Sequence, residues 1–246
     1  MMKMKLNIAH LYPELLNIYG DRGNILAFSQ RCLWRGIDAE VHEINQGDNI
    51  DIDLYDFYFI GGGQDQQQIM VADEFQRQAE ALRNAANSEA VFLAICGGYQ
   101  LLGHYYRTAQ EIEIPGISIL DAYTVAGNTR YIGNVTVETD LLEKNRNTLV
   151  GFENHSGLTY LQGDTKPIGK VKVGNGNNGK DKTEGAVYKN VFGTYLHGSL
   201  LPKNPDFTDY LISLALKRKY GKDIKLDELD DALEILAHKR AINRKY

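Results

Sequence analysis

The segment Val91–Gly103 restricts the possible folds more than any other part of this chain. An uninterrupted apolar strand runs directly into Cys96, and helical periodicity begins almost at once. Ala94 lies two positions before the cysteine and Gly98 two positions after it, which fits a tight turn where bulky neighbours would clash. A helix N-terminus also lowers the pKa of a thiol. The pattern therefore favours Cys96 as a nucleophile, the alternative being a buried structural cysteine.

The first half of the chain alternates between strand and helix patterns. Short apolar segments predict strands at 6–9, 40–44, 55–60 and 91–95. Between the first two strands, Asn24 is the expected cap of a helix that ends at Gly36. Crossovers of this length predict an α/β fold, with a central, mostly parallel sheet flanked by helices.

The second half of the chain has a different pattern. Its strand candidates are short and closely spaced, which predicts antiparallel strands added to the parallel sheet. Two helices are expected in residues 205–246, the second of them carried by Leu226, Leu229, Leu233 and Leu236. Because no proline- or serine-rich linker interrupts the chain, we expect a single domain over residues 1–246, with its motif-bearing core in residues 5–200.

Composition excludes several classes of protein. The chain is 43% apolar and 24% charged with a net charge of −5, which is typical of a globular protein and argues against a nucleic-acid partner. Its two cysteines cannot form a disulfide framework. The apolar runs are shorter than the roughly 18 residues of a membrane helix, so we expect a cytoplasmic protein without membrane insertion. No histidine or cysteine spacing indicates a metal site.

A cysteine nucleophile needs a base, which is usually histidine. Among six histidines, His197 is the leading candidate, because the apolar strand 191–196 ends directly before it and Gly198 follows. His155 is the alternative. Both stand in the second half of the chain, far in sequence from Cys96.

Backbone N–H groups are the second requirement, since they stabilise the oxyanion that forms when a thiolate attacks a carbonyl. The turn Gly61–Gly63 directly follows the third predicted strand and lets peptide groups approach closely. We therefore predict Gly63 and Gly97 as the donors. The alternative is an ordinary glycine turn.

Three of these motifs occur together: CGGYQ at Cys96–Gln100, GGGQD at Gly61–Asp65 and YLHG at Tyr195–Gly198. As a set they resemble class I glutamine amidotransferases of the cobyric acid synthase type. Narrower matches are similar to the glutaminase subunits of lipid II isoglutaminyl synthases, and these lie at 10–13, 19–24, 127–134 and 151–155.

The resemblance implies L-glutamine as the substrate. Cys96 would attack the side-chain carboxamide, and the resulting γ-glutamyl thioester would be hydrolysed by water after ammonia leaves. His197 would take the thiol proton and pass it to the leaving amine. Arg130 matches the position that holds the glutamine, and a guanidinium suits an α-carboxylate. The alternative for Arg130 is an ordinary surface arginine.

The resemblance also implies a partner, a Mur-ligase-type synthetase subunit that forms a heterodimer with this chain. ATP and magnesium are expected on that subunit, and no cofactor is expected in this chain. The ammonia would convert the D-glutamate of lipid II to D-isoglutamine by amidating its α-carboxyl group, a step of peptidoglycan synthesis.

One residue departs from the amidotransferase pattern. Many class I members carry a glutamate two positions after the base, where this chain has Ser199. A hydroxyl cannot stabilise an imidazolium as a carboxylate does. The resemblance implies that the partner subunit supplies the acid, so the isolated chain is expected to be a poor glutaminase.

Several alternatives stay open. The chain could amidate a corrinoid such as cobyrinic acid, act as a freestanding γ-glutamyl peptidase with its own acid, or serve as a non-catalytic regulatory subunit. The segment Gly174–Asp181 nearly matches a phosphate-binding loop, but Asp181 replaces the expected serine or threonine. We therefore predict a flexible hairpin turn there.

Overall fold

The computed structural model describes residues 4–18 and 20–243. The strands, in chain order, are β1 (Lys5–Leu11), β2 (Asp38–Ile44), β3 (Phe57–Ile60), β4 (Val91–Ile95), β5 (Tyr105–Arg107), β6 (Glu113–Pro115), β7 (Ala122–Glu138), β8 (Thr148–Leu161), β9 (Gly169–Val173), β10 (Thr183–Glu184), β11 (Ala186–Tyr188) and β12 (Val191–Thr194). The helices are α1 (Arg22–Trp34), α2 (Asp65–Asn87), α3 (Gly97–Leu102), α4 (Pro205–Tyr220) and α5 (Ala232–Asn243), with a 3-10 turn at Leu201–Lys203.

A parallel sheet forms the centre of the first half and confirms the predicted fold class. Its strand order is β11-β12-β4-β3-β1-β2. Neighbouring strands are parallel throughout except for β11, which runs antiparallel to β12. All residues of β3 and β4 are buried, as expected for parallel strands covered on both faces.

Aromatic side chains join the helices to this sheet. Phe28 of α1 stacks on Phe57 of β3 with ring centroids 4.3 Å apart. Phe207 of α4 meets Phe192 of β12 edge-on at 5.7 Å. These large, fully buried rings fix the helices against the strands whose ends carry the predicted catalytic groups.

Most strands of the second half form a second sheet, which the sequence did not predict. Its order is β10-β9-β7-β5-β6, and β8 pairs with β7. Within the described residues, only β11 is added to the parallel sheet as an antiparallel strand. The second sheet is built around β7 and β8. These strands have 17 and 14 residues and pair with each other along most of their length.

A wide bulge interrupts the pairing of β7 with β8. Ala126 pairs with Gly157 and Tyr131 pairs with His155, so four residues of β7 lie opposite a single residue of β8. The last residue of the bulge is Arg130. Bulges bend a strand and redirect its side chains, and they are frequent beside active sites.

Two predicted helix boundaries were wrong. The first helix, α1, begins ahead of Asn24, which therefore lies inside it and accepts a hydrogen bond from the Leu201 N–H group at 2.9 Å. The last helix begins only at Ala232, so Leu226 and Leu229 lie in irregular chain. In residues 4–18 and 20–243, no helix is long and apolar enough to cross a membrane.

Two arginines contact the non-helical segment before α5. Arg31 of α1 donates hydrogen bonds to Asp209 of α4 at 2.7 Å and to Asp231 at 2.5 Å. Arg35, which directly follows α1, donates to the backbone carbonyl of Asp227 at 2.7 Å. These contacts hold the acidic segment along α1, where the Asp231 carboxylate pairs with the buried Arg31 guanidinium group.

Candidate active site

Cys96 occupies the sharp corner between β4 and α3 that the sequence predicts. Its backbone has φ 49° and ψ −104°, in the left-handed region that favours glycine, so the corner is strained. The Cys96 N–H group donates to the Thr194 carbonyl of β12 at 2.8 Å. The side chain is buried, with 7% of the residue exposed, and it lines a cavity.

The glycine turn after β3 lies directly against this corner. A Cβ atom on Gly97 would come within 2.8 Å of both the nitrogen and the oxygen of Gly63. Only glycine permits so close an approach at position 97. The two predicted oxyanion donors therefore come from peptide groups that are in contact, and Gly63 lines the same cavity as Cys96.

His197 follows β12 and is fully buried. Its backbone is held by β8, since the His197 N–H group donates to the Phe152 carbonyl at 2.9 Å. Burial alone would lower the pKa of His197, but the neighbouring Cys96 and the hydrogen-bonded Asp21 carboxylate raise that pKa well above its ordinary value. This position beside Cys96 is suited to proton exchange with the sulfur.

A carboxylate of this chain faces the Nδ1 atom of the His197 ring and is a candidate for the orienting acid, beside the partner-supplied acid that the resemblance implies. Asp21 immediately precedes α1 and is fully buried, with its Oδ1 atom 3.5 Å from His197 Nδ1. The Gly62 N–H group donates to Asp21 Oδ2 at 2.7 Å and fixes the carboxylate. Cys96, His197 and Asp21 therefore have the arrangement of a nucleophile, base and orienting acid.

Ser199 contributes indirectly to this arrangement. Its hydroxyl donates to the Gly20 carbonyl at 2.6 Å, next to Asp21. Ser199, which stands where many amidotransferases have glutamate, thus holds the loop that carries Asp21. Sequence spacing could not reveal this acid, because Asp21 and His197 are 176 positions apart. The nearest signal was the matching segment at 19–24, of which Tyr19 lies outside the described residues.

The cavity over Cys96 has a volume of about 450 Å³. The bulge of β7 brings Arg130, the predicted substrate-holding residue, to the cavity wall, and the Arg130 Nε–H group donates to Asn154 Oδ1 at 2.7 Å. Gln100, which follows the elbow, also lines the cavity. Asp65 and Tyr106 complete one side, and the sequence interpretation assigned no role to either.

His155 lines the same cavity but is held in a different way. Its ring stacks on Tyr195 with centroids 3.6 Å apart, and its Nδ1–H group donates to the Gly157 carbonyl at 2.9 Å. Its Nε2 atom lies 4.0 Å from the Glu153 carboxylate. Burial lowers the pKa of His155 to about 4. This geometry favours His197 over His155 as the base.

Amide side chains connect the elbow to the neighbouring elements. Gln68 of α2 donates to Gln100 Oε1 at 2.9 Å, and Gln100 donates to the Tyr195 hydroxyl at 3.1 Å. The Tyr195 hydroxyl also forms a 2.7 Å hydrogen bond with Thr159 of β8. This buried network joins the nucleophile's helix to both sheets.

The segment Gly174–Asp181, which nearly matches a phosphate-binding loop in sequence, is a packed turn between β9 and β10. Asn177 and Asn178 are buried, so the turn is integrated into the protein rather than projecting from it. Its backbone N–H groups at Asn175 and Gly176 donate to the Glu153 carboxylate, each at 3.0 Å. Because a protein carboxylate already occupies these donors, the turn has no phosphate-binding role in this structure.

Residues 7–205 match the family of CobB/CobQ-like glutamine amidotransferase domains, and the chain belongs to that family. Among its relatives is the lipid II isoglutaminyl synthase (glutamine-hydrolyzing) subunit GatD of Streptococcus pneumoniae, 43% identical over 93% of this chain and 87% of the relative. The subunit of the same name from Staphylococcus aureus is also 43% identical, over 98% of this chain and 96% of the relative.

More distant comparisons agree with the fold. A glutamine amidotransferase from Thermotoga maritima superposes with a TM-score of 0.56 at 16% identity, over 97% of this chain and 92% of that chain. A probable cobyric acid synthase of Methanocaldococcus jannaschii is 34% identical, but over only 58% of this chain and 30% of the relative. The corrinoid enzymes are thus less similar to this chain than the two GatD subunits are.

Proposed function

We propose that this chain is the glutaminase subunit of a lipid II isoglutaminyl synthase. It hydrolyses L-glutamine to glutamate and ammonia, and the ammonia passes to a synthetase subunit that amidates the D-glutamate α-carboxyl group of lipid II. The observation that carries this proposal is the buried Cys96–His197–Asp21 arrangement beneath a cavity with Arg130 in its wall. The 43% identity to two GatD subunits over nearly the whole chain supports the choice of acceptor.

The mechanism assigns a role to each group at the corner. Cys96, deprotonated by His197, attacks the carboxamide carbon of glutamine, and the N–H groups of Gly63 and Gly97 stabilise the oxyanion. His197 then protonates the leaving nitrogen, so that ammonia departs and a γ-glutamyl thioester remains. Water, deprotonated by His197, hydrolyses the thioester to glutamate and regenerates the thiol. Asp21 stabilises the imidazolium in both halves of the reaction.

The partner is a Mur-ligase-type synthetase subunit in a heterodimer with this chain. ATP and magnesium bind to that subunit, where ATP activates the carboxyl group of the acceptor. The packed turn Gly174–Asp181 supports this division, since Glu153 already occupies the N–H groups with which a phosphate-binding loop would hold a nucleotide.

The test measures both halves of the proposed reaction. The full chain and its synthetase subunit are mixed with ATP, magnesium, lipid II and glutamine labelled with ¹⁵N in the amide. Glutamate release and ¹⁵N transfer to lipid II are followed by mass spectrometry, and both should disappear with Cys96→Ala. Cys32→Ala is the matched control, because Cys32 is also buried but lies in α1, outside the cavity.

Two results would contradict the proposal. Glutaminase activity that survives in Cys96→Ala would exclude the assigned nucleophile. Glutamate release without ¹⁵N transfer to lipid II would retain the glutaminase but exclude this acceptor.

A freestanding γ-glutamyl hydrolase is the second candidate, and Asp21 is the observation that favours it. Such an enzyme needs a local acid, and Asp21 supplies one at 3.5 Å from His197. This candidate predicts hydrolysis of γ-glutamyl peptides at full rate by the chain alone, with no effect of the synthetase subunit. A rate that rises on addition of the synthetase subunit would exclude it.

A further inference from the structure

The cavity over Cys96 carries one charge of each sign in addition to the reacting groups. Among the described residues that line it, Asp65 is the only carboxylate and Arg130 the only guanidinium. They come from different parts of the fold, Asp65 from the first turn of α2 and Arg130 from the bulge of β7.

Asp65 is placed by the same turn that supplies an oxyanion donor. Gln64 is the N-cap residue of α2, so Asp65 follows Gly63 by two positions and is the first residue of the helix. Its side chain is half-buried. The carboxylate is therefore rigidly connected to the glycine turn that contacts the nucleophile's corner.

Tyr106 lies beside this carboxylate. Burial, together with the charge of Asp65, raises the pKa of Tyr106. The phenol thus remains a neutral donor at neutral pH. A phenolic O–H group leaves further lone pairs of the Asp65 carboxylate available to accept hydrogen bonds.

The substrate of the proposed function is a zwitterion at its α-carbon, with a carboxylate and an ammonium group beside each other. Arg130 matches the carboxylate in charge and in the geometry of its N–H groups. The ammonium group needs an anionic acceptor, and Asp65 supplies the one carboxylate among the described residues that line the cavity.

We infer that Asp65 binds the α-ammonium group of the substrate glutamine, while Arg130 binds its α-carboxylate. This inference rests on the proposed function and names a specificity-determining residue for it. The pair Asp65 and Arg130 selects a free amino acid and disfavours amides that lack either charge. The reacting carboxamide is then fixed over Cys96 by both ends of the zwitterion.

The test compares L-glutamine with glutaramate, which has the same carboxamide and carboxylate but lacks the α-amino group. Values of kcat/KM are measured for the full chain mixed with its synthetase subunit. In Asp65→Asn, kcat/KM for glutamine should fall by about 10- to 100-fold, while the value for glutaramate should change by less than about 3-fold. The wild-type preference for glutamine should therefore be largely lost.

Two variants serve as controls. Asp73→Asn removes the same charge from the exposed face of α2, outside the cavity, and should leave both substrates unchanged. Asp65→Glu keeps the negative charge and should retain the preference for glutamine. Thermal unfolding of each variant verifies that the helix is intact.

The outcomes separate the subsite from the function. If Asp65→Asn lowers kcat/KM equally for both substrates, or for neither, Asp65 does not bind the ammonium group. If wild-type protein uses glutaramate as well as glutamine, the inference fails while the glutaminase function stands. If wild-type protein does not hydrolyse glutamine at all, the proposed function fails and the subsite fails with it.

Discussion

The parallel sheet carries Cys96 and His197 at the ends of β4 and β12, whereas the second sheet carries Arg130 in a bulge of β7. The first two residues are buried, while Arg130 is exposed. Backbone hydrogen bonds also fix the corner of Cys96 and the chain at His197. In contrast, a side-chain hydrogen bond to Asn154 holds Arg130.

This difference follows from what each region does in the proposed reaction. Groups that exchange protons must keep distances to within a fraction of an ångström, and buried parallel strands provide that rigidity. Groups that hold the far end of a substrate act through charge, which is less sensitive to position. Substitutions in the first region should therefore affect kcat or folding, and those in the second should mainly affect KM.

The largest expected effect is that of Asp21→Asn. Without the carboxylate, the imidazolium of His197 loses its stabilising charge, and kcat should fall by about 10³-fold with little change in KM. Glutamate release is measured for the chain alone and for the chain with its synthetase subunit. Asp53→Asn, which removes an exposed aspartate, is the control.

The result decides where the orienting acid resides. An unchanged kcat in Asp21→Asn, with and without the partner, would place that acid in the synthetase subunit. In that case a rigid acid–base pair within this chain would no longer distinguish the parallel sheet from the second sheet.

A pair of glycine substitutions compares the packing of the two regions. A Cβ atom on Gly98 would lie 2.6 Å from Ile60 Cγ2 and 2.8 Å from the Gly61 carbonyl oxygen, whereas one on Gly133 of β7 would meet nothing within 4 Å. Gly98→Ala should lower the free energy of unfolding by about 3 kcal/mol. Gly133→Ala should change it by less than about 0.5 kcal/mol. Urea unfolding measures the free energy of unfolding of both variants. Equal losses would refute the difference in packing between the two regions.

A smaller effect than that of Gly98→Ala is expected at the seam between the sheets. Glu184 of β10 accepts hydrogen bonds from the Thr194 hydroxyl at 2.6 Å and from the Tyr195 N–H group at 2.8 Å, both at the end of β12. Burial raises the pKa of Glu184 from its ordinary value of 4.5 to about 7. The folded protein therefore disfavours the ionised form that the unfolded chain adopts above its own pKa.

The pH dependence of Glu184→Gln follows from that shift. Below pH 4.5 both states are protonated and Glu184 imposes no penalty, whereas the penalty grows as pH rises and is complete above about pH 7. Relative to wild type, Glu184→Gln should gain about 2 kcal/mol in free energy of unfolding between pH 5 and pH 8. Urea unfolding at the two pH values measures this gain. A constant difference between the two proteins would show that Glu184 is ionised in the fold.

Local patterns were sufficient to predict where the parallel sheet places Cys96, the glycine turn and His197. The strand–cysteine–helix corner, the glycine turn after β3 and the position of His197 after β12 each depend on steric constraints among neighbouring residues, which a short segment contains in full. The same reasoning predicted the fold class, because alternating strands and helices leave few topologies. At Leu226 and Leu229 the local pattern predicted a helix that is not there, because contacts with residues distant in sequence hold that segment.

Tertiary packing alone brought Asp21 to His197 across 176 positions of sequence, since no periodicity links a helix cap to a distant strand end. It also assigned the donors of the turn Gly174–Asp181 to Glu153, and it stacked His155 on Tyr195. Each of these outcomes depends on which buried groups form hydrogen bonds or stack with one another. That choice depends on contacts between segments that are far apart in the sequence.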